Sequence, residues 1–198
     1  MINIETTGHD IFEDDIIEIG IVRIDRGWNI CGRFSSLVWP GEAVFSRPET
    51  ASALALQKRE KSDLMFAPSP DEVAKAALAF IGDWKHTQIA SFNIHFERGF
   101  LRRKAWERIG KGYPWPVCIM ELCSNIMGSA GSPYCPWNEY HRSYKWPRLN
   151  EAAHFFGVRY DHIHVHSALH NAEVAARIYI KILSDTSNGS ENEGRLEA

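Results

Sequence analysis

The run Ile16-Ile17-Glu18-Ile19-Gly20-Ile21-Val22-Arg23-Ile24 constrains the fold more than any other stretch. Its β-branched side chains lose rotamer freedom in a helix but pack well on a pleated surface. Acidic residues precede it and Asp25-Arg26-Gly27 follows it, so it is bounded as a strand is. It reads as a buried strand. Asp25-Arg26-Gly27 supplies a turn, and Trp28 to Val38 is the return strand of a hairpin.

Around this hairpin the chain alternates helices and short strands. Residues 40–70 are Pro-rich at both ends, with a short helix expected near Ala51–Arg59. Ser69-Pro70-Asp71-Glu72 opens a helix to about Ile81, with a capping Ser, a first-turn Pro and acidic residues at the positive dipole end. Short strands are expected at Gln88–Phe92 and Val117–Cys118. Helices are expected at Glu97–Arg108, Met120–Met127, Leu149–Phe156 and Ala168–Leu183. From Asp185 onward Ser, Asn, Gly and Glu dominate, so residues 1–184 read as one domain and 185–198 as a disordered tail. The net charge of −3 gives no global basic signal, so any nucleic-acid site must be a local patch. Cys31, Cys118, Cys123 and Cys135 show no C-x-x-C spacing and read as reduced thiols. No leader or membrane-spanning run is evident, which makes the cytoplasm the expected location.

Three short segments carry chemistry. Asn3-Ile4-Glu5-Thr6-Thr7-Gly8 opens the chain; Phe92-Asn93-Ile94-His95-Phe96-Glu97 follows in its middle; His166-Ser167-Ala168-Leu169-His170-Asn171-Ala172 precedes the last helix. In this order they resemble the three motifs of the DnaQ-like (DEDDh) 3′→5′ exonucleases. Those are written Asp-x-Glu-Thr-Thr-Gly, His-Asn-x-x-Phe-Asp and His-x-Ala-x-x-Asp-Ala. The resemblance covers about residues 2–183 and implies an α/β fold of the RNase H-like kind, a mixed β-sheet flanked by helices. The chain departs from the motifs at four places: Asn3 and Asn171 stand where the family has Asp, Glu97 where it has Asp, and Phe92 where it has His. Only Met1 and Ile2 precede the first motif, where the family has more of its first strand; a shortened start would weaken that strand.

The resemblance implies two-metal hydrolysis of a phosphodiester with Mg²⁺ or Mn²⁺, held at positions 3, 5, 97 and 171, with His166 as general base. Residues 3 and 5 are two apart on a strand and share one face. A His with a pKa near neutrality suits proton abstraction from water. Thr6, Thr7, Asn93 and Phe96 are the residues expected at a terminal nucleotide, the threonines alternatively closing a turn. The implied partner is a single-stranded DNA or RNA 3′ end, and a homodimer is expected by analogy with small family members. Two charges are missing from the ligand set. An amide offers one oxygen but brings an NH₂ and no charge, and charge count is the main lever on affinity for hard cations. An impaired centre is therefore expected. The alternatives are a naturally degenerate domain retained as a nucleic-acid-binding or protein-interaction module, an active enzyme inactivated deliberately by Asp→Asn exchange, or a rearranged site using Glu5, Glu97, His166 and His170.

Three further features have competing readings. His162, His164, His166 and His170 beside Asp161 form a His-rich stretch, read as a polar loop in preference to a zinc site. Arg98, Arg102, Arg103, Lys104 and Arg108 read as a solvated helix face in preference to a phosphate track. Tyr134, Trp137, Tyr140, Tyr144 and Trp146, interleaved with His141, Arg142 and Lys145, suit stacking on unpaired bases, packing on the domain body or a dimer contact.

Overall fold

The computed structural model describes residues 1–161 and 166–193, with the side chains of the last helix followed to Asp185. Strands β1 (Ile2–Thr6), β2 (Ile16–Ile24) and β3 (Ile30–Leu37) form an antiparallel sheet in the order β1-β2-β3. The hairpin expected from the sequence is β2–β3. Strand β1 is not an edge. On its far side the Ile2 N–H donates to the Ala90 carbonyl at 2.9 Å, and Ser91 bridges Cys118 in parallel, with the Ile119 N–H on the Ser91 carbonyl. The two short strands expected at 88–92 and 117–118 are thus extended segments that continue the sheet through single contacts.

Strand β2 is buried along Ile16–Val22 because both of its faces are covered. Ile19 and Ile21, with Ile2 and Ile4 of β1, face a core that includes α3 (Pro70–Ile81), α4 (Ile94–Leu101) and α5 (Glu107–Gly112). Val22 faces the opposite core of α6 (Ile119–Ser129), α7 (Leu149–Phe155) and α8 (Ala168–Glu193). The alternation of strand side chains therefore turns Asn3 and Glu5 toward α8. Gly20 brings that helix close, since a Cβ there would overlap the backbone of Ala168 and Leu169.

Helix α3 begins as expected, with the Glu72 N–H on the Ser69 hydroxyl and the Glu72 carboxylate on the Ser69 N–H. Three expectations differ from the structure. The helix near 51–59 is α1 (Pro48–Leu56), started by a Pro whose fixed φ suits a first turn, and α2 (Lys61–Leu64) follows it. The helix expected over 97–108 is broken into α4 and α5 by a 3₁₀ turn at Lys104–Trp106, where Lys104 takes φ 51°. The break buries Trp106 and lets Gly110 lie against the Leu101 carbonyl, a contact no Cβ could share. Finally, α8 continues to Glu193, past the boundary expected at 185; extending an anchored helix costs little compared with nucleating one. No helix among the described residues is long and apolar enough to cross a membrane.

Candidate active site

The segments singled out by the motifs meet at the end of β1. Glu97 lies in the first turn of α4, which Asn93 caps by accepting the Phe96 N–H at 3.3 Å. Asn171 lies in the first turn of α8, its N–H on the Ser167 carbonyl. From these three elements two amide–carboxylate pairs form. Asn3 Nδ2 donates to Glu97 Oε1 at 3.0 Å, and Asn171 Nδ2 donates to Glu5 Oε1 at 3.2 Å.

Glu97 is buried, 2 % exposed. Loss of water pushes its carboxyl up to about 8, with the Glu5 charge adding to the rise. Burial and then the Glu18 charge push Glu5 up to about 7. Protons and amide N–H groups thus offset charge that a cation would otherwise offset. Asn3 Oδ1 and Glu97 Oε2 are buried without a hydrogen-bond partner among the described residues, so two oxygens remain open to a ligand. Yet both carboxylates already hold an amide hydrogen, and among the described residues no group of three or more His, Cys, Asp or Glu is placed to hold a metal ion. The donor set as arranged does not fit a clamp for two divalent cations.

Two residues that sequence reasoning missed belong to this centre. Glu18 sits directly across from Glu5 in the β1–β2 register. Like charges placed so are unfavourable, and Arg59 offsets them through an ion pair with Glu18. The other Glu18 oxygen accepts the Ala168 N–H at 3.2 Å, so a strand carboxylate begins α8 at its positive end. The signal for Glu18 was a lone carboxylate within an apolar run. Nothing in the sequence marked Arg59. Beside it, Gln57 Nε2 donates to the Thr6 carbonyl at 2.9 Å.

The other expected site residues fall as follows. His166 is half-buried. Burial, then Lys58 and Arg59, hold its imidazole below the ordinary value, so it is neutral at pH 7. Thr6 Oγ1 donates to the Gly8 carbonyl at 2.5 Å. Thr7 is fully buried, its hydroxyl donating to Asp14 and accepting the Asp15 N–H, which closes the turn. Phe96 packs on Phe100 and meets the His9 ring edge-on. Phe92 is core. The Arg98–Arg108 run does not share a face. Arg98 donates to the Gly110 carbonyl, Arg103 donates to the Phe12 carbonyl and covers its ring, and Lys104 pairs with Asp15. His162 and His164 lie outside the described residues. The four cysteines are free thiols, and burial pushes Cys123 up to about 12.

A mixed sheet covered by helices on both faces, with buried acidic and amide side chains gathered at one strand end, defines an RNase H-like fold. The family model described as "Exonuclease" matches residues 1–179, and the chain belongs to that family, whose members generally use divalent metals. It is 26% identical over 186 residues to the DNA polymerase III subunit epsilon of Aquifex aeolicus, covering 93% of this chain and 80% of that one. It is 28% identical over 182 residues to the PolC-type DNA polymerase III of Caldanaerobacter subterraneus subsp. tengcongensis, covering 91% of this chain but 11% of the polymerase. Among solved structures it resembles E. coli exonuclease I in complex with a 5cy-dT13 oligonucleotide, with TM-score 0.69, 12% identity, and 92% of this chain against 40% of that one. It also resembles a full-length 3′-exonuclease, with TM-score 0.64, 16% identity, 93% of this chain and 80% of the other. The chain therefore spans about two fifths of exonuclease I and about a tenth of the polymerase.

Proposed function

We propose that this chain is a 3′→5′ exonuclease-like protein directed at single-stranded DNA or RNA ends, with hydrolysis impaired in the sequence as it stands. The observation that carries this reading is the pair of amide–carboxylate hydrogen bonds, Asn3 to Glu97 and Asn171 to Glu5. An Asp at position 3 or 171 would present an oxygen where each N–H now lies. Four carboxylates so close would repel one another and draw in hard cations such as Mg²⁺ or Mn²⁺, whose role in such a centre is to clamp the attacking and leaving oxygens. With amides in place each carboxylate already accepts an N–H, and less negative charge is left to draw a cation. His166, neutral at pH 7, has the protonation state a general base needs. A single-stranded partner is supported by the oligonucleotide complexes of the structural relatives.

The same hydrogen bonds favour a second reading, a non-catalytic nucleic-acid-binding or protein-interaction module on the exonuclease fold. One experiment separates them. End-labelled single-stranded DNA and RNA are incubated with Mg²⁺ or Mn²⁺ and either the parent chain or the Asn3→Asp/Asn171→Asp double variant. Trimming of 3′ ends by the double variant, with a parent slower by at least about 10–100-fold, is the expected result. A fully active parent would overturn the impairment, and silence from both proteins would leave the module.

A further inference from the structure

The aromatic residues of segment 133–147 divide into two groups in the structure. Strands β4 (Trp137–Asn138) and β5 (Ser143–Tyr144) make a small hairpin. Tyr134 and Tyr144 turn inward and pack on the core shared by α6, α7 and α8. A side chain on Gly128 would collide with the Tyr144 ring. Trp137, Tyr140 and Trp146 stay outside, 47%, 90% and 51% exposed. Scattered surface aromatics need no explanation, but clustered ones mark an interaction site.

One exposed ring reaches the first turn of α4, the helix that carries Glu97. The Trp146 ring lies near-parallel to that of His95, at 12° with centroids 6.4 Å apart. His95 stands between the cap residue Asn93 and Glu97 on α4, and Glu121 holds its Nε2 at 2.9 Å. Tyr140 lies in the turn between β4 and β5, where its ring meets that of His141 edge-on. Charge does not single out this surface. Lys145 is bound by Glu151 and the Tyr134 carbonyl, Glu121 lies against His95, and Glu139 stands two and three residues before His141 and Arg142 in the chain. Without a basic excess the surface is not a phosphate track, and the ring faces are what it offers. Stacking on aromatic faces is how unpaired bases are held without sequence preference.

We propose that Trp146, seated on His95, and Tyr140 form a stacking platform for the unpaired bases of a single strand whose 3′ end reaches the acidic centre. This rests on the function proposed above. The platform supplies affinity through bases and not through phosphates. Its loss therefore weakens binding while leaving the salt dependence unchanged.

The test is equilibrium binding of a fluorescently labelled oligothymidylate, in chelator so that no strand is cut, across a salt series. Trp146→Ala and Tyr140→Ala each weaken binding about five-fold or more, with the slope of log affinity against log salt unaltered. Trp146→Phe keeps most of the affinity and shows that an aromatic face, not the fold of the hairpin, is what matters. Tyr140 is so exposed that its truncation leaves the core untouched. Unchanged affinity in both Ala variants would overturn the platform, as would a reduced salt slope, which would mean lost phosphate contacts. Sedimentation showing that the variants break a dimer but bind the strand normally would assign the surface to a second copy of this chain and also overturn it. A parent that binds no single strand removes the underlying nucleic-acid reading as well, which is distinct from a parent that binds as tightly as its variants.

Discussion

At residue scale the centre is governed by where protons sit. The Glu97 carboxyl, pushed up to about 8 by burial, retains its proton in the folded chain over a range where the unfolded chain has released it. The folded state therefore binds more protons between about pH 4.5 and about pH 8, and stability falls as pH rises through that window. The contribution is fully present below the unfolded value and lost above the folded one. Glu5, pushed up to about 7, acts in the same direction. Urea unfolding of the metal-free protein at about pH 5 and about pH 9 should show lower stability at the higher pH, and Glu97→Gln should flatten most of that difference. An equal slope in the variant would show that Glu97 is ionised throughout. Position 97 was legible in the sequence because motif order placed it. Its proton affinity was not, because burial depends on what closes over it, and Asn3 and Glu5, which act on it, come from β1, far from it in the sequence.

At the scale of elements, the joint between β2 and α8 decides the geometry. Gly20 admits the helix, Glu18 accepts its first N–H, and Arg33 of β3 and Arg177 of α8 both grip Glu173. Gly20→Ala should cost about 1–3 kcal/mol or more, because the added methyl meets backbone that cannot rotate away; chemical denaturation measures it, and a cost near zero would show that α8 can slide. The Glu173 pair is a milder tie. Its two guanidinium partners hold the carboxylate down at about 2. It adds stability above about pH 4.5 that is lost as pH falls toward about 2. The groups are partly exposed and screened, so Arg33→Ala should cost no more than about 1 kcal/mol at neutral pH, and the variant should lose less on acidification than the parent. An acid transition identical in both would remove the pair from the account. The joint was not read from the sequence. A glycine within a β-branched run can mark a close approach, but the partner in that approach lies far along the chain. The broken helix at 94–112 failed for the same reason: residues 97–108 carry a helical pattern locally, and the break is set by Trp106 and Gly110 finding neighbours elsewhere.

For the molecule as a whole, the sequence was readable where local chemistry and the global fold agree. Hairpin β2–β3 and helix α3 announce themselves through turn and cap residues and stand where they were expected. The convergence of positions 3, 5, 97 and 171 followed from strand and helix periodicity once the motifs were in order. Less readable was anything decided by which face of a loop meets the core. The aromatic segment is divided, since Tyr134 and Tyr144 pack on the body of the domain while Trp137, Tyr140 and Trp146 stay exposed. Arg59 was unreadable because it lies in the charged stretch Lys58–Lys61, where solvation is the ordinary fate of a guanidinium and pairing with Glu18 the exception.

Strand β1 is flanked by backbone partners on both sides, by β2 on one and by residue 90 on the other. Such a strand cannot slip without breaking the β1–β2 ladder together with the Ile2–Ala90 hydrogen bond. The positions of residues 3 and 5 are therefore set by the main chain, whatever their side chains carry. Acid and amide have nearly the same shape, so either can occupy position 3 without the sheet registering the difference. Scaffold and reactivity are in this sense written in separate places. The frame can persist while the charge it displays is exchanged, and the exchange can run in either direction by altering one terminal atom at a time.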